Sequence, residues 1–240
     1  MTEEPEPLTL LDGPVGKVLA IVAHPDDLEY GAAAAVARWT AEGNEVVYVL
    51  ATRGEAGIDH LAPEECGPLR EDEQRRSAAV VGVEVVEFLD HPDGVLTYGP
   101  ELRRDVAAAI RRHRPATVVT INHREGWGTP GSVNSADHRA LGQAVIDAVA
   151  DAGNRWIFPD AGQPHAAGQV LVAGSPQATH AIDVSDTVEA AIASLREHRV
   201  YLEGLGDHPM ADPEFLRWVL EAAGARAGCA AAVAVERFGG

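Results

Sequence analysis

The stretch KVLAIVAHPDDLEYG, Lys17 to Gly31, sets an unbroken apolar run directly against a histidine, a proline and two adjacent aspartates. Residues that are apolar on consecutive positions suit a strand covered on both faces, as in a parallel sheet. Runs of the same kind follow at NEVVYVLA (44–51), VEVVEFL (83–89), ATVVTIN (116–122) and QVLVAG (169–174). Helical stretches lie between them. Pro68 is expected to open LREDEQRRSAAVVG, whose acidic first turn suits the helix dipole. Pro100 opens ELRRDVAAAIRRH, with Leu102, Val106 and Ile110 on one face. Ser135 caps ADHRALGQAVIDAVADAG, with Leu141, Val145 and Val149 on one stripe. This alternation implies an α/β fold: a Rossmann-like, doubly wound, mostly parallel sheet with helices on both faces.

After residue 175 the rhythm changes to two helices, starting near Ser185 and at Asp212-Pro213, and a last strand AAVAVERF. These read as a small C-terminal extension, 175–240, of a single domain spanning 15–240. Residues 1–14 read as a flexible segment.

Composition narrows the function. The chain has 240 residues, 46% hydrophobic and 23% charged, enough for a substantial core. A formal charge of −18 repels nucleic acid and anionic membrane surfaces, so neither is an expected partner. The acidic start lacks a secretion signal, and no apolar run approaches the roughly 20 residues that span a bilayer. Cys66 and Cys229 read as free thiols of a reducing cytoplasm.

In doubly wound folds, ligands bind beyond the carboxyl ends of the strands. Three loops there are unusual: AHPDD, TRGEAGIDHLAPEECG, and NHREGWGTPGSVNSADH, which ends in a second aspartate-histidine pair. Asp26 and Glu29 fit a capping box, but that leaves His24 idle. A dinucleotide site would need glycines that are absent after the first strand. A magnesium phosphoryl-transfer site gives no reason for the histidines. A zinc site built from His24, one aspartate of the pair, and His138 uses every group. Three ligands leave a position open for water, and the free carboxylate takes a proton.

These segments resemble the LmbE/PIG-L family of zinc-dependent N-deacetylases, which includes the mycothiol and bacillithiol deacetylases. The likeness runs through AHPDDLEYGAAAAVARW, TRGEAG, LREDEQRRSAAVVGV, FLDHPDGVL and NSADHRALGQAV. It implies one zinc per chain on His24, Asp27 and His138, with Asp26 as general base. It makes Arg70 a substrate clamp, against the plainer reading of a surface salt bridge. Asp93 becomes a second substrate contact, against an ordinary Asp-Gly turn. Much of the family reads H-x-D-H where this chain has Ser135-Ala136-Asp137-His138, so the usual histidine acid is absent. Ser135 is then a helix cap and Asp137 loses its usual partner. His180, with His123 second, is the expected replacement acid.

The implied activity is hydrolysis of an N-acyl, chiefly N-acetyl, group on a small amino sugar or related amide. Amide hydrolysis of thiol conjugates is the near alternative. A weakly catalytic protein that binds metal and ligand is the rival from another class, and magnesium phosphoryl transfer is the distant third. Within this chemistry zinc competes with iron or another divalent ion, and the resemblance leans toward a homo-oligomer.

Overall fold

The computed structural model describes residues 6–239. Eight strands form one sheet: β1 (Thr9–Leu10), β2 (Val18–Val22), β3 (Val46–Leu50), β4 (Val85–Phe88), β5 (Thr117–Ile121), β6 (Gln169–Ala173), β7 (His180–Asp183) and β8 (Ala232–Gly239). Their spatial order is β1-β7-β8-β6-β5-β2-β3-β4. Every pairing is parallel except those of β8, which runs antiparallel between β6 and β7. The helices are α1 (Asp27–Gly31), α2 (Ala33–Ala41), α3 (Pro63–Val80), α4 (Pro100–His113), α5 (Ala136–Gly153), α6 (Val188–Leu195), α7 (Arg199–Gly204) and α8 (Phe215–Ala227).

The consecutive apolar residues of β2 serve two cores at once. Val18, Ala20 and Val22 join the layer under α2 and α6, whereas Leu19, Ile21 and Ala23 join the layer under α4 and α5. Side chains alternate across a strand, so a strand buried on both faces needs apolar groups at every position. Leu102, Val106 and Ile110 of α4, with Leu141 and Val145 of α5, are buried in the second layer as their spacing predicts.

Four local expectations are corrected. Helix α3 begins at Pro63, not Pro68, because Pro63 supplies the favoured first-turn proline and Ala62 O accepts from the amides of Glu65 and Cys66. Pro68 is carried inside the helix. Among the described residues the C-terminal part holds three α-helices and a short 3-10 turn, Pro209–Ala211, rather than two helices. The segment 1–14 is not wholly free: Thr9 and Leu10 pair with His180 and Ala181, and Leu8 is buried beside α8. Its first five residues lie outside the described ones. The strand β7 was not foreseen either, since four residues between a turn and a helix carry little periodic signal.

Arg111, near the end of α4, is 4% exposed and donates to the carbonyls of Asp151, Ala152, Asn154, Ile157 and Phe158. One side chain thereby ties the loop after α5 onto α4. No helix among the described residues is long and apolar enough to cross a membrane.

Candidate active site

The chain leaves β2 at Val22 and turns sharply so that Asp27, the first residue of α1, folds back over the strand end. Its Oδ2 accepts hydrogen bonds from the amides of Ala23 (3.0 Å) and His24 (2.8 Å). Asp26 sits in the left-handed region, φ 96°, and makes no capping hydrogen bond through its side chain, so the capping box is not formed. A non-glycine residue held there stores strain that the surroundings must sustain. They do so through Gln74, whose Oε1 accepts from the Asp26 amide (3.1 Å), and Arg70, whose Nη2 donates to Asp26 Oδ2 (2.9 Å).

Helix α5 brings the other half. Ser135 Oγ accepts from the His138 amide (3.0 Å), so this hydroxyl is spent as a helix cap. That cap aims His138 at α1, with Nε2 2.9 Å from Asp27 Oδ1 and 3.2 Å from His24 Nδ1. Asp137 Oδ2 and Oδ1 accept from the amides of Gly94 (2.8 Å) and Leu96 (3.0 Å), which pins the loop after β4. Asp93 Oδ2 accepts from the Ala56 amide (2.8 Å), joining the loop after β3 to the same edge.

Each imidazole has one nitrogen already committed. His24 Nε2 lies 3.1 Å from Asp93 Oδ1 and 3.2 Å from Asp137 Oδ2. Carboxylates only accept, so Nε2 carries the proton. His138 Nδ1 lies 2.9 Å from Asn134 Oδ1, and the Asn134 amide nitrogen is fixed by the carbonyls of Asn122 and Arg124. Asn134 therefore accepts from His138 Nδ1. The two nitrogens that face each other, His24 Nδ1 and His138 Nε2, converge beside an Asp27 oxygen, where a bound cation would take the place of shared protons. The ligand atoms of His24, Asp27 and His138 all lie within 4.8 Å of one another. Two imidazoles and a carboxylate, each held from behind, fit a zinc ion's preference in donor type and in outer support.

Electrostatics point the same way. Burial lowers the His24 imidazole, yet Asp27, Asp137 and Asp93 outweigh it and hold its pKa well above the ordinary value. The cavity calls for positive charge between the two rings. Burial pushes the Asp27 carboxyl up, but His138 and His24 reverse this and hold it far below the usual range. Asp26 moves the other way: burial raises it, Arg70 opposes and the Asp27 carboxylate adds to the rise.

The structure thus brings together His24, Asp26, Asp27, Asp93, Asp137 and His138. It does not bring His180. That residue opens β7, four strand spacings from β2, about 19 Å across the sheet, with Nδ1 2.9 Å from Thr179 Oγ1. The expectation that it replaces the absent histidine within this chain's cluster is corrected. His123 packs beneath α5 against Phe238 and Gly142, and its Nδ1 has no partner. Arg70, expected at the substrate, is 2% exposed, and its donors go to Asp26, Pro25 O and Gly54 O. A Cβ at Gly54 or Gly57 would stand 2.2 or 2.4 Å from Arg70 Nη1, so these glycines are the slot that admits the guanidinium. Asn134 and Gln74 escaped sequence reading. Only the four-residue spacing of Asn134 to His138 hinted at a partner.

The family model for PIG-L, described as GlcNAc-PI de-N-acetylase, matches residues 19–149. The chain belongs to the PIG-L family. Diacetylchitobiose deacetylase of Thermococcus kodakarensis is 32% identical over 194 residues, covering 77% of this chain and 69% of that protein. The 1D-myo-inositol 2-acetamido-2-deoxy-alpha-D-glucopyranoside deacetylase of Kineococcus radiotolerans is 28% identical, covering 80% of this chain and 70% of that protein. The solved N,N'-diacetylchitobiose deacetylase from Pyrococcus horikoshii shares the fold, with TM-score 0.82 over 92% of this chain and 83% of that one, at 24% identity. As a PIG-L family member the chain is a hydrolytic enzyme, a deacetylase acting on an N-acetyl amide.

Proposed function

We propose that this protein is a zinc-dependent deacetylase that releases acetate from an N-acetylated amino sugar of small size, working in the cytoplasm. The observation that carries the reading is the meeting of His24 Nδ1, His138 Nε2 and Asp27 Oδ1, with a second carboxylate, Asp26, held by Arg70 on the adjacent residue. The substrate class is supported by the relatives, which act on acetylated chitobiose and on an acetamido-glucopyranoside of inositol. The chain's charge of −18 disfavours an anionic membrane surface as the place of work.

His24, Asp27 and His138 would hold the metal, which supplies Lewis acidity toward a carbonyl and makes water a nucleophile near neutral pH. Asp26, raised by burial, takes a proton as water oxygen bonds to the acetyl carbon. When the C–N bond breaks, Asp26 returns that proton to the nitrogen. The products are the amine and acetic acid, which ionises. With Ser135 spent as a cap and His180 far away, one carboxyl serves as base and then as acid. Trp127 stands edge-on to His138, ring centroids 6.0 Å apart, and is 45% exposed, so it offers a sugar an apolar face at the mouth.

The test is elemental analysis of protein purified without chelator, together with acetate release from N-acetylglucosamine and its dimer. About one zinc per chain, lost in His138→Ala, with acetate released, is the expected result. Protein that binds no transition metal and takes none up overturns the reading.

A further inference from the structure

Asp26 and Glu29 have the spacing of a capping box, and the structure puts that spacing to a use the chemistry above leaves out. In such a box the N-cap side chain caps the helix, and the glutamate of the first turn accepts from the N-cap amide. Here Gln74 of α3 stands between the two. Its Oε1 accepts from the Asp26 amide (3.1 Å), and its Nε2 donates to Glu29 Oε1 (2.9 Å). The box is widened by one side-chain amide.

Each group in this link has one direction open to it. Ser77 Oγ donates to Glu29 Oε1 (2.7 Å), and a carboxylate only accepts. On the far side, His198 Nε2 stands 3.4 Å from Glu29 Oε2. Glu29, Gln74, Ser77 and His198 are all buried, so bulk water does not compete for these contacts. Gln74 is thereby fixed one way round, nitrogen to the carboxylate and oxygen to the Asp26 amide.

The consequence falls on the backbone of Asp26. An N-cap residue ordinarily adopts an extended conformation, and its side chain is taken up by the helix amides. Asp26 stands instead at φ 96°, makes no side-chain cap, and offers Oδ2 to Arg70 (2.9 Å). The amide of this left-handed residue is the group that Gln74 holds.

We propose that Gln74 and Glu29 are positioning residues for Asp26: Glu29 sets the Gln74 amide, Gln74 holds the Asp26 backbone, and the backbone so held keeps the Asp26 carboxyl off the helix end and available for proton transfer. The proposal rests on the reading of Asp26 as the base. A strained backbone needs an acceptor that cannot turn round, and the carboxylate of Glu29 denies Gln74 the other orientation.

Gln74→Met keeps the length of the side chain and removes both hydrogen bonds. Its kcat on N-acetylglucosamine should fall roughly 10- to 100-fold, the effect of a small misplacement of a reacting group, with KM within about twofold and zinc content unchanged. An unchanged kcat, or a loss confined to KM, overturns the proposal. Exchanging the two groups separates positioning from stability, and decides should Gln74→Met fail to fold. Gln74→Glu sets two carboxylates face to face, whereas Gln74→Glu combined with Glu29→Gln restores one acid and one amide. Below the melting temperature of both, the double variant should turn over at least about tenfold faster than Gln74→Glu, and equal rates overturn the proposal. A further measurement needs no substrate. In protein labelled with ¹⁵N-aspartate, the amide proton signal missing from Asp26→Asn should move upfield in Gln74→Met and return in the double variant; a signal that stays in place overturns the contact. Should the wild type release no acetate while that signal moves, the substrate reading fails and the hold of Gln74 on Asp26 stands.

Discussion

Asp26 and Asp27 are neighbours in the chain, and their surroundings drive them in opposite directions. Asp27 faces two imidazoles and stays ionised far below the usual range; Asp26 is buried beside that charge and rises. On the proposed reading the pair would divide binding from proton transfer by environment, not by residue type. Asp26→Asn should lower kcat by roughly 10²–10⁴-fold with zinc retained. Zinc lost in that variant, measured by elemental analysis, would reverse the two assignments. Asn134→Ala removes the acceptor that sets the His138 tautomer, and zinc affinity, titrated by competition with a chromophoric chelator, should weaken about 10- to 100-fold. The histidines and aspartates at this edge were legible because they are rare, dense and at strand ends. Asn134 and Gln74 were not, because a neutral amide looks alike on a surface and behind a candidate site.

At the scale of elements, the strands of the parallel block and helices α4 and α5 were readable because both carry their full periodic signal. The errors fall where an element is short or shares its signal with a neighbour. Two prolines competed to open α3, and the one nearer the loop won. β7 is four residues long, and misreading the region around it left His180 as a loop histidine free to reach the site. His180→Ala should leave kcat within about twofold, and a fall of tenfold or more would contradict the distance across the sheet. Arg111 is the converse case, a charged residue near a helix end that proves buried. Arg111→Leu removes a donor shared by five carbonyls, of which that of Ile157 keeps no other partner, and should cost about 2–3 kcal/mol of unfolding free energy by urea titration.

For the molecule as a whole, the proposed metal ligands come from two distant parts of the chain, His24 and Asp27 from one and His138 from the other. A cation bound there links α1 to α5 across the sheet edge and stabilises the folded state alone. Zinc at about a hundred times its dissociation constant should raise the melting temperature by roughly 5–10 °C, and chelator should reverse the shift.

The placement of β8 has a further consequence, for the growing chain. This strand is the last of the eight to be made, yet it lies inside the sheet, between β6 and β7. While roughly 65 residues beyond β6 are still being added, the parallel block presents an open apolar edge for several seconds at ordinary translation rates. Unpaired strand edges of that kind invite other chains. Ribosome-bound intermediates of this protein are therefore the species most exposed to aggregation, and the yield of soluble protein should depend on chaperone supply during synthesis more than on the stability of the finished fold.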